Sequence, residues 1–262
     1  MVAPYRLYRR GEGAAVSAYY VEYNAVHARG EEFVKALNMR GVQAESLEIP
    51  LKPAAIRAGL GAFGKNSIVR IHGMGSCVML RCIALGEGFE CERDYPGGEG
   101  DEYADCGKCR LCIDACPSGA LSESGMDHTR CLRAHMFQGP PTPEEFRPLM
   151  GNRLLGCEEC LRACPHNARA YADALEPPDE LKRILDIRRA FDTDTRAEYM
   201  KKFGDLLGWN MAIPNRVLAQ AIIVAANLNM RELIPLIEPL MQSKSAAVSE
   251  HARWALDRLA EQ

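Results

Sequence analysis

The chain has 262 residues, of which 47% are hydrophobic, so it can bury a sizeable core as one large domain or two small ones. Its formal net charge of −3 and its isoelectric point near 6.1 exclude the strongly basic surface of a general nucleic-acid binder. The sequence has no apolar run long enough to span a membrane and no signal-peptide pattern at its start. We therefore expect a cytosolic protein whose cysteines stay reduced.

The first 95 residues predict a mixed α/β region. A strand leads into an amphipathic helix over about residues 22–41, for which Gly41 is a suitable C-terminal cap. A strand is predicted at 42–50. Residues 53–71 predict a short helix, a glycine-rich turn and a strand, and 76–85 predict a further strand. Glycine, proline and acidic residues at 90–105 indicate a surface loop.

The glycine-rich turn AGLGAFGKNS, residues 58–67, contains three glycines and a lysine. It does not match a phosphate-binding P-loop, because the glycine spacing fails and Asn66 follows Lys65 where serine or threonine is required. It also lacks the strand-to-helix setting of a dinucleotide-binding motif. The residues alone predict a tight turn and leave open whether it contacts a ligand.

The chain has 11 cysteines, and most of them lie in two blocks. The first block, CGKCRLCIDACP, has the C-x2-C-x2-C-x3-C-P spacing of bacterial ferredoxins, and the second is CEECLRACP. Thiolates also bind zinc, but zinc needs neither the third cysteine nor the repeated C-P ending. The spacing therefore predicts iron–sulfur clusters, with zinc or plain buried cysteines as the alternatives.

In two-cluster proteins, the fourth cysteine of each run binds the other cluster. This rule assigns one 4Fe-4S cluster to Cys106, Cys109, Cys112 and Cys164. The second cluster takes Cys116, Cys157, Cys160 and, as the best remaining candidate, Cys131.

The alternative role of Cys131 is a core cysteine. Cys77, Cys82 and Cys91 match no ligand spacing, and we expect them to be small buried residues. His166 follows the second C-P pair, and we expect it to tune a cluster by hydrogen bonding to sulfur.

From about residue 175 onward, helical periodicity replaces the cysteine motifs. The segments 177–191, 194–209, 214–229, 230–242 and 245–262 each predict a helix. The last three, with short breaks between them, indicate a HEAT-like repeat in which paired helices stack. The alternative is a simple helical cap. The predicted fold class is α+β, with a mixed α/β cofactor domain (1–95), a ferredoxin-like double 4Fe-4S domain (96–172) and a helical HEAT-like domain (173–262).

The motifs together resemble a known enzyme family. They are PAAIRAGLGAFGKNS, CGKCRLCIDACPSGAL, the cysteine of TRCLRAH, GNRLLGCEECLRACPHN and the helical tail. In these features the chain is similar to the epoxyqueuosine reductases, which belong with the reductive dehalogenases among the cobalamin and iron–sulfur enzymes. The specific motifs cover about residues 44–168, and the HEAT-like tail favours the epoxyqueuosine branch.

The resemblance implies the cofactors, the reaction and the partners. Cobalamin would bind base-off in the α/β region and receive electrons from the clusters, and a carboxylate would donate a proton. The substrate would be tRNA, in which the epoxycyclopentane of a modified wobble base becomes the cyclopentene of queuosine. An external donor such as ferredoxin or flavodoxin would supply the electrons.

The resemblance also implies site residues. The expected cofactor contacts are Gly59, Gly61, Lys65, Asn66 and Ser67. The family's acidic residue lies about 14 residues before the AGLG turn, where this chain has Glu45 instead of aspartate. A buried glutamate can do the same acid chemistry. The alternative for Glu45 is a solvated residue on a strand edge.

Two features depart from the family. We expect the N-terminal region to be short, because APYRLYRR resembles a strand that lies well inside the family's N-terminal domain. The acidic loop and the charge-balanced tail do not indicate the basic face that tRNA binding requires. Two hypotheses therefore remain: a cobalamin-dependent iron–sulfur reductase acting on tRNA, or a ferredoxin-like protein that passes electrons to a corrinoid or other redox partner.

Overall fold

The computed structural model describes residues 1–88, 106–192, 195–208 and 211–261. The chain divides into two compact units, each assembled from separate stretches. The first unit consists of Met1–Leu7, Glu22–Met126 and Glu159–Ala174, and the second of Tyr8–Val21, Asp127–Glu158 and Leu175–Gln262. These units do not follow the predicted boundaries, because segments far apart in the sequence pair and pack within each unit. The predicted loop at 90–105 and Cys91 lie outside the described residues.

The strands are short and pair two by two. In chain order they are β1 (Val2–Pro4), β2 (Ala15–Val16), β3 (Ala44–Leu47), β4 (Gly61–Phe63), β5 (Val69–Ile71), β6 (Val78–Leu80), β7 (Cys82–Leu85), β8 (Leu121–Ser122), β9 (Gly125–Met126) and β10 (Arg153–Leu155). In the first unit, β1 pairs with β6, β3 with β7, β4 with β5 and β8 with β9, all antiparallel. In the second unit, β10 pairs with β2 in parallel.

The helices range from single turns to 22 residues. In chain order they are α1 (Ala18–Met39), α2 (Leu51–Arg57), α3 (Leu111–Asp114), α4 (Leu132–His135), α5 (Glu159–Arg162), α6 (Ala168–Ala172), α7 (Asp179–Ile184), α8 (Arg188–Phe191), α9 (Arg196–Leu207), α10 (Pro214–Asn227), α11 (Ile234–Ile237) and α12 (Ala246–Glu261). Among the described residues, no helix combines the length and apolar character needed to cross a membrane.

The predicted α/β character of the first unit is confirmed. Helix α1 ends at Met39, and Gly41 adopts the left-handed conformation (φ +81°) expected of a glycine just past a helix end. The Asn38 side chain then ties this turn to β3, because its Nδ2 donates to the Ala44 carbonyl at 2.8 Å and its Oδ1 accepts from the Ala44 N–H at 3.1 Å.

The second unit is built around α10. This helix starts with Pro214 in its first turn, where the missing N–H costs nothing. Its residues from Ala221 to Ala226 are all fully buried, so it packs on several sides. Helix α12 packs against it, and Ala252, Ala255 and Leu259 of α12 are buried in the same core.

Two predicted helices are broken in the structure. The segment predicted as one helix at 230–242 consists of a 3-10 turn, the short α11 and a second 3-10 turn, because Pro235 and Pro239 cannot donate helical hydrogen bonds. The segment predicted at 177–191 splits into α7 and α8. There the Asp186 side chain accepts from the Arg188 N–H at 3.2 Å and favours a new helix start over continuation.

Candidate metal centre

Four cysteines of the first unit line one cavity, which contains about 450 Å³ of empty space including its open mouth. They are the residues that the crossed-ligation rule groups as the first ligand set: Cys106, Cys109, Cys112 and Cys164. The rest of the lining is Gly64, Lys65, Asn66, Arg70, Leu111, Pro165 and His166. Four soft thiolate donors around one cavity form the donor set that a 4Fe-4S cluster requires.

Two single-turn helices present these cysteines. The Cys109 N–H donates to the Cys106 carbonyl at 2.8 Å, which closes the turn that leads into α3. The Cys164 N–H donates to the Leu161 carbonyl at 3.2 Å at the end of α5. Helices α3 and α5 pack against each other, so the two cysteine blocks converge although they are more than 40 residues apart in the chain.

The glycine-rich turn also faces this cavity. Lys65 Nζ donates to the Cys109 carbonyl at 3.1 Å, and Asn66 Nδ2 donates to the Cys160 carbonyl at 3.4 Å. Lys65 and Asn66 were predicted to contact cobalamin, but their side chains contact the cysteine-bearing segments. These contacts fit an iron–sulfur centre, and the contact of both residues with cobalamin stays a prediction.

The other three predicted cofactor contacts shape the turn itself. Gly59 (φ +65°) and Ser67 (φ +60°) are both left-handed. A Cβ on Gly61 would lie 1.7 Å from the Arg70 carbonyl oxygen, so β4 can approach β5 this closely only with glycine at that position. Their contact with cobalamin stays a prediction.

Charged side chains brace the outside of the first cysteine loop. Lys65 Nζ lies 2.8 Å from Glu123 Oε2, and Arg110 Nη1 donates to Glu123 Oε1 at 2.6 Å. The hydrogen bond with Glu123 raises the pKa of Lys65, and the same bond lowers the pKa of Glu123. Both groups are therefore charged at neutral pH, and the brace is ionic.

Burial raises the pKa of two of the four thiols, Cys112 and Cys164, and neighbouring cysteines add to the effect. At Cys164, a hydrogen bond from the His166 backbone N–H and the positive charge of Arg70 act in the opposite direction, lowering the pKa. Metal binding requires thiolates, so assembly at this site releases protons.

The other four predicted ligands belong to different units. In the first unit, Cys116 Sγ lies 3.9 Å from Ser118 Oγ, and Cys160 lies in α5. In the second unit, Cys131 immediately precedes α4, and Cys157 packs against the apolar core. This second ligand set stays a prediction.

The described cysteines outside the two sets are Cys77, which is buried as expected, and Cys82, which is half-buried. None of the ten cysteines within the described ranges forms a disulfide. Glu45 is exposed on β3 opposite Ala84 of β7 and does not line the cavity. It does not have the burial that the prediction of an acid assumed, and its catalytic role stays a prediction.

The sequence analysis missed Arg70. This residue is buried in β5, and its Nη1 donates to His166 Nε2 at 2.8 Å. The available signal was one arginine inside the otherwise apolar strand VRI. His166 was expected to hydrogen bond to a sulfur, which stays a prediction, and its ring accepts from Arg70.

Comparison with known proteins agrees with this geometry. Residues 105–167 match the 4Fe-4S double cluster binding domain family. The part of the chain that carries both cysteine blocks is therefore an iron–sulfur domain.

Relatives in two bacteria are named epoxyqueuosine reductase. That of Listeria monocytogenes is 30% identical over 211 residues, covering 78% of this chain and 53% of the relative. That of Salmonella typhimurium is 30% identical over 240 residues, covering 86% of this chain and 57% of the relative. An uncharacterised protein of Geobacillus stearothermophilus is 32% identical over 168 residues, covering 60% of this chain and 74% of the relative.

Solved structures share the fold. Epoxyqueuosine reductase of Streptococcus thermophilus matches with a TM-score of 0.77 at 21% identity, covering 100% of this chain and 72% of that one. Epoxyqueuosine reductase of Bacillus subtilis matches with a TM-score of 0.74 at 24% identity, covering 98% of this chain and 72% of that one. The chain is therefore similar to epoxyqueuosine reductases in sequence and in fold, and it spans about half the length of the curated relatives named above as reductases.

Proposed function

We propose that this protein is an iron–sulfur reductase that converts epoxyqueuosine in tRNA to queuosine. The observation that carries the proposal is the cavity in which Cys106, Cys109, Cys112 and Cys164 meet the glycine-rich turn. Relatives over most of this chain are named epoxyqueuosine reductase. One solved structure with the same fold is an epoxyqueuosine reductase with an epoxyqueuosine-modified tRNA stem loop.

The reaction defines what the protein must supply. Conversion of an epoxide to an alkene consumes two electrons and two protons and releases the epoxide oxygen as water. A 4Fe-4S cluster passes single electrons, so an external donor of the ferredoxin or flavodoxin type must deliver two in succession. We propose that the first cysteine set holds one cluster and that Cys116, Cys131, Cys157 and Cys160 hold the other. The reaction would take place in the cytosol, where thiols stay reduced.

Glu45 is the proposed proton donor. Its exposed position on β3 leaves the carboxyl accessible to a substrate. Replacement by glutamine keeps the size of the side chain and removes the proton, so Glu45→Gln should lower turnover while the iron content stays unchanged. Full turnover by Glu45→Gln would assign the proton to another group.

Cobalamin enters this proposal through the family resemblance alone. When bound, it would supply a low-potential cobalt centre for the substrate. The candidate contacts remain Gly59, Gly61, Lys65, Asn66 and Ser67.

We also propose that α10 to α12 form a HEAT-like unit. The packing of α10 on α12 supports it, and the 3-10 turns around α11 make the unit irregular.

The test begins with anaerobic reconstitution, followed by counts of iron and corrinoid. The holoprotein is then incubated with an epoxyqueuosine-containing tRNA stem loop and a low-potential reductant, and the nucleosides are analysed by mass spectrometry. We expect about eight irons per chain, a bound corrinoid and loss of one oxygen from the modified base. Cys112→Ala is the matched control, because it removes one cluster ligand.

Electron transfer to a separate partner is the second candidate function. The observation that favours it is the position of Glu45, the proposed proton donor, which is exposed and does not line the four-cysteine cavity. This function predicts about eight irons, rapid reduction of both clusters and transfer of electrons to an added corrinoid protein, without loss of the epoxide oxygen. Deoxygenation by the isolated chain would exclude it.

A further inference from the structure

Arg70 is a buried cation in the lining of the four-cysteine cavity. It lies in β5, where both neighbours, Val69 and Ile71, are also buried. The glycine-rich turn is shaped to pack against it: the Cβ that Gly61 lacks would overlap the Arg70 carbonyl oxygen. The backbone of Arg70 is therefore held by the close packing of β4 against β5.

Arg70 also reaches the fourth cysteine through His166. Its Nη1 donates to His166 Nε2 at 2.8 Å, so the ring accepts at that nitrogen. His166 lies two residues after Cys164, and the N–H of the next residue, Asn167, donates to the Cys164 carbonyl at 2.9 Å. Hydrogen bonds to cluster sulfurs and nearby charge are the levers by which a protein sets a cluster's reduction potential.

The segment that carries His166 is rigid. Asn167 is fully buried; its Oδ1 accepts from the Ser76 N–H at 2.7 Å and its Nδ2 donates to the Leu161 carbonyl at 2.9 Å. Gly75 adopts φ +73°, and a Cβ there would lie 2.5 Å from the His166 carbonyl oxygen. The distance between the Arg70 charge and the cysteines is thus set by the fold.

We propose that Arg70 is a positioning residue that raises the reduction potential of the cluster bound by Cys106, Cys109, Cys112 and Cys164. Reduction adds negative charge to a cluster already surrounded by thiolates, and a fixed positive charge stabilises the reduced form. The proposal rests on cluster binding and not on the reductase activity, so it can fail while the proposed function stands.

The test is a redox titration of the reconstituted holoprotein followed by electron paramagnetic resonance. Arg70→Gln should make reduction of one of the two clusters about tenfold less favourable, which is about 59 mV for one electron. Arg70→Lys keeps the charge and should stay within about threefold of the parent protein, about 28 mV. Iron content is measured for each variant, because a shift is meaningful only with both clusters present.

Lys65→Gln is the matched control. It removes another cation from the same cavity, but the ion-pair partner of Lys65, Glu123, is half exposed to solvent, whereas Arg70 is buried. Because solvent screens the more exposed charges, the change in reduction potential should be less than half that in Arg70→Gln. His166→Phe removes the ring acceptor and keeps the backbone N–H. It should change the reduction potential of the same cluster by less than Arg70→Gln does.

An unchanged potential in Arg70→Gln with full iron content would overturn the proposal. Equal shifts in Arg70→Lys and Arg70→Gln would also overturn it, because side-chain geometry and not charge would then be responsible. If Arg70→Gln loses its cluster, Arg70→Lys decides: retention of the parent potential supports the proposal, and a tenfold shift refutes it.

Discussion

In the first unit, charged side chains hold the loop with Cys106 and Cys109 from the outside, whereas in the second unit the segments with Cys131 and Cys157 lie against an apolar core. Ion pairs among Lys65, Glu123 and Arg110 brace the first loop. The Glu123 and Arg110 side chains are half exposed to solvent, whereas the Lys65 side chain is mostly covered. Exposed ion pairs contribute little and are screened by salt. We infer that the order of this loop depends strongly on the bound cluster.

The second unit positions its cysteines by packing and capping. Leu132, which follows Cys131, and Met136, which follows α4, are both buried. The Met136 sulfur accepts from the Gly156 N–H at 3.1 Å. Beside Cys157, the buried Glu158 carboxylate accepts from Ser17 Oγ at 2.7 Å and from the Ala18 N–H at 2.8 Å, at the start of α1. Burial and capping therefore hold these segments, and the comparison shows that the segments carrying one ligand motif can be supported in two physical ways.

The largest expected effect comes from removing one cysteine in each unit. Cys112→Ala and Cys131→Ala should each lower the iron content from about eight to about four per chain, because each removes one ligand of one cluster. Iron analysis and the visible absorption spectrum check this. Cys82→Ala is the control and should keep the full iron content. An undiminished iron content in Cys131→Ala would remove Cys131 from the ligand set and restrict the comparison to the first unit.

Gly61→Ala tests the backbone of the first unit. The added Cβ would lie 1.7 Å from the Arg70 carbonyl oxygen, so β4 and β5 must separate. We expect the free energy of unfolding to fall by about 3 kcal/mol, measured by urea denaturation, with reduced cluster retention. Gly13→Ala is the control, because nothing lies within 4 Å of its Cβ position. Equal stability of the two variants would show that the turn is more tolerant than its geometry indicates.

His251 tests the core of the second unit through pH. Its Nε2 accepts from the Thr142 N–H at 2.9 Å and its Nδ1 donates to the Ala219 carbonyl at 2.9 Å, so the buried ring is neutral. Burial lowers its pKa from the ordinary 6.5 to about 4, and the nearby Arg147 charge acts in the same direction. Between these values the unfolded chain binds a proton that the folded chain does not, so stability falls as the pH decreases from about 6.5 toward 4.

Between pH 7 and pH 4.5 this residue should cost about 2 kcal/mol of stability. His251→Gln retains a donor and an acceptor but does not titrate. Between pH 7 and pH 4.5 its free energy of unfolding, measured by urea denaturation, should therefore fall by about 2 kcal/mol less than that of the parent protein. Glu250, 3.7 Å from Arg147, also faces this region and is unchanged in both proteins. An identical pH dependence of the two proteins would assign the acid sensitivity to other groups.

The smallest expected effect concerns the cap at the start of α1. Glu158→Ala leaves the Ala18 N–H without its carboxylate and should lower the free energy of unfolding by about 1.5 kcal/mol. Glu158→Gln keeps an acceptor and should cost about half as much. Iron content should fall in neither variant if core packing alone positions Cys157. Loss of iron in Glu158→Ala would show that the cap, and not the core, holds that ligand segment.

Much of the site could be predicted because its determinants are local. Three of the four cavity cysteines lie within seven residues of one another, and their spacing alone requires them to be close. Cys164 was grouped with them by the general rule of crossed ligation, and the structure brings it into the same cavity. Lys65 and Asn66 were predicted to contact cobalamin, which stays a prediction, and their side chains contact the cysteine segments.

The broken helices show where local patterns fail. Residues 230–242 have helical periodicity, yet two prolines there remove backbone donors and divide the segment. The unit boundaries differ from the predicted domains because β10 pairs with β2, which lies more than 130 residues earlier. Such pairings depend on the free energy of the whole core and leave no mark at either strand.

The amino-acid sequence by itself determined the number and spacing of the cysteines, the turn that faces them and the family that the chain resembles. These follow from residue type and from distances along the chain. The tertiary structure alone decided that Arg70 lies beside the cysteines, that Glu45 is exposed and that the chain forms two units. Those features depend on which distant segments pack together, because burial and electrostatic effects are set by neighbours in space and not in sequence.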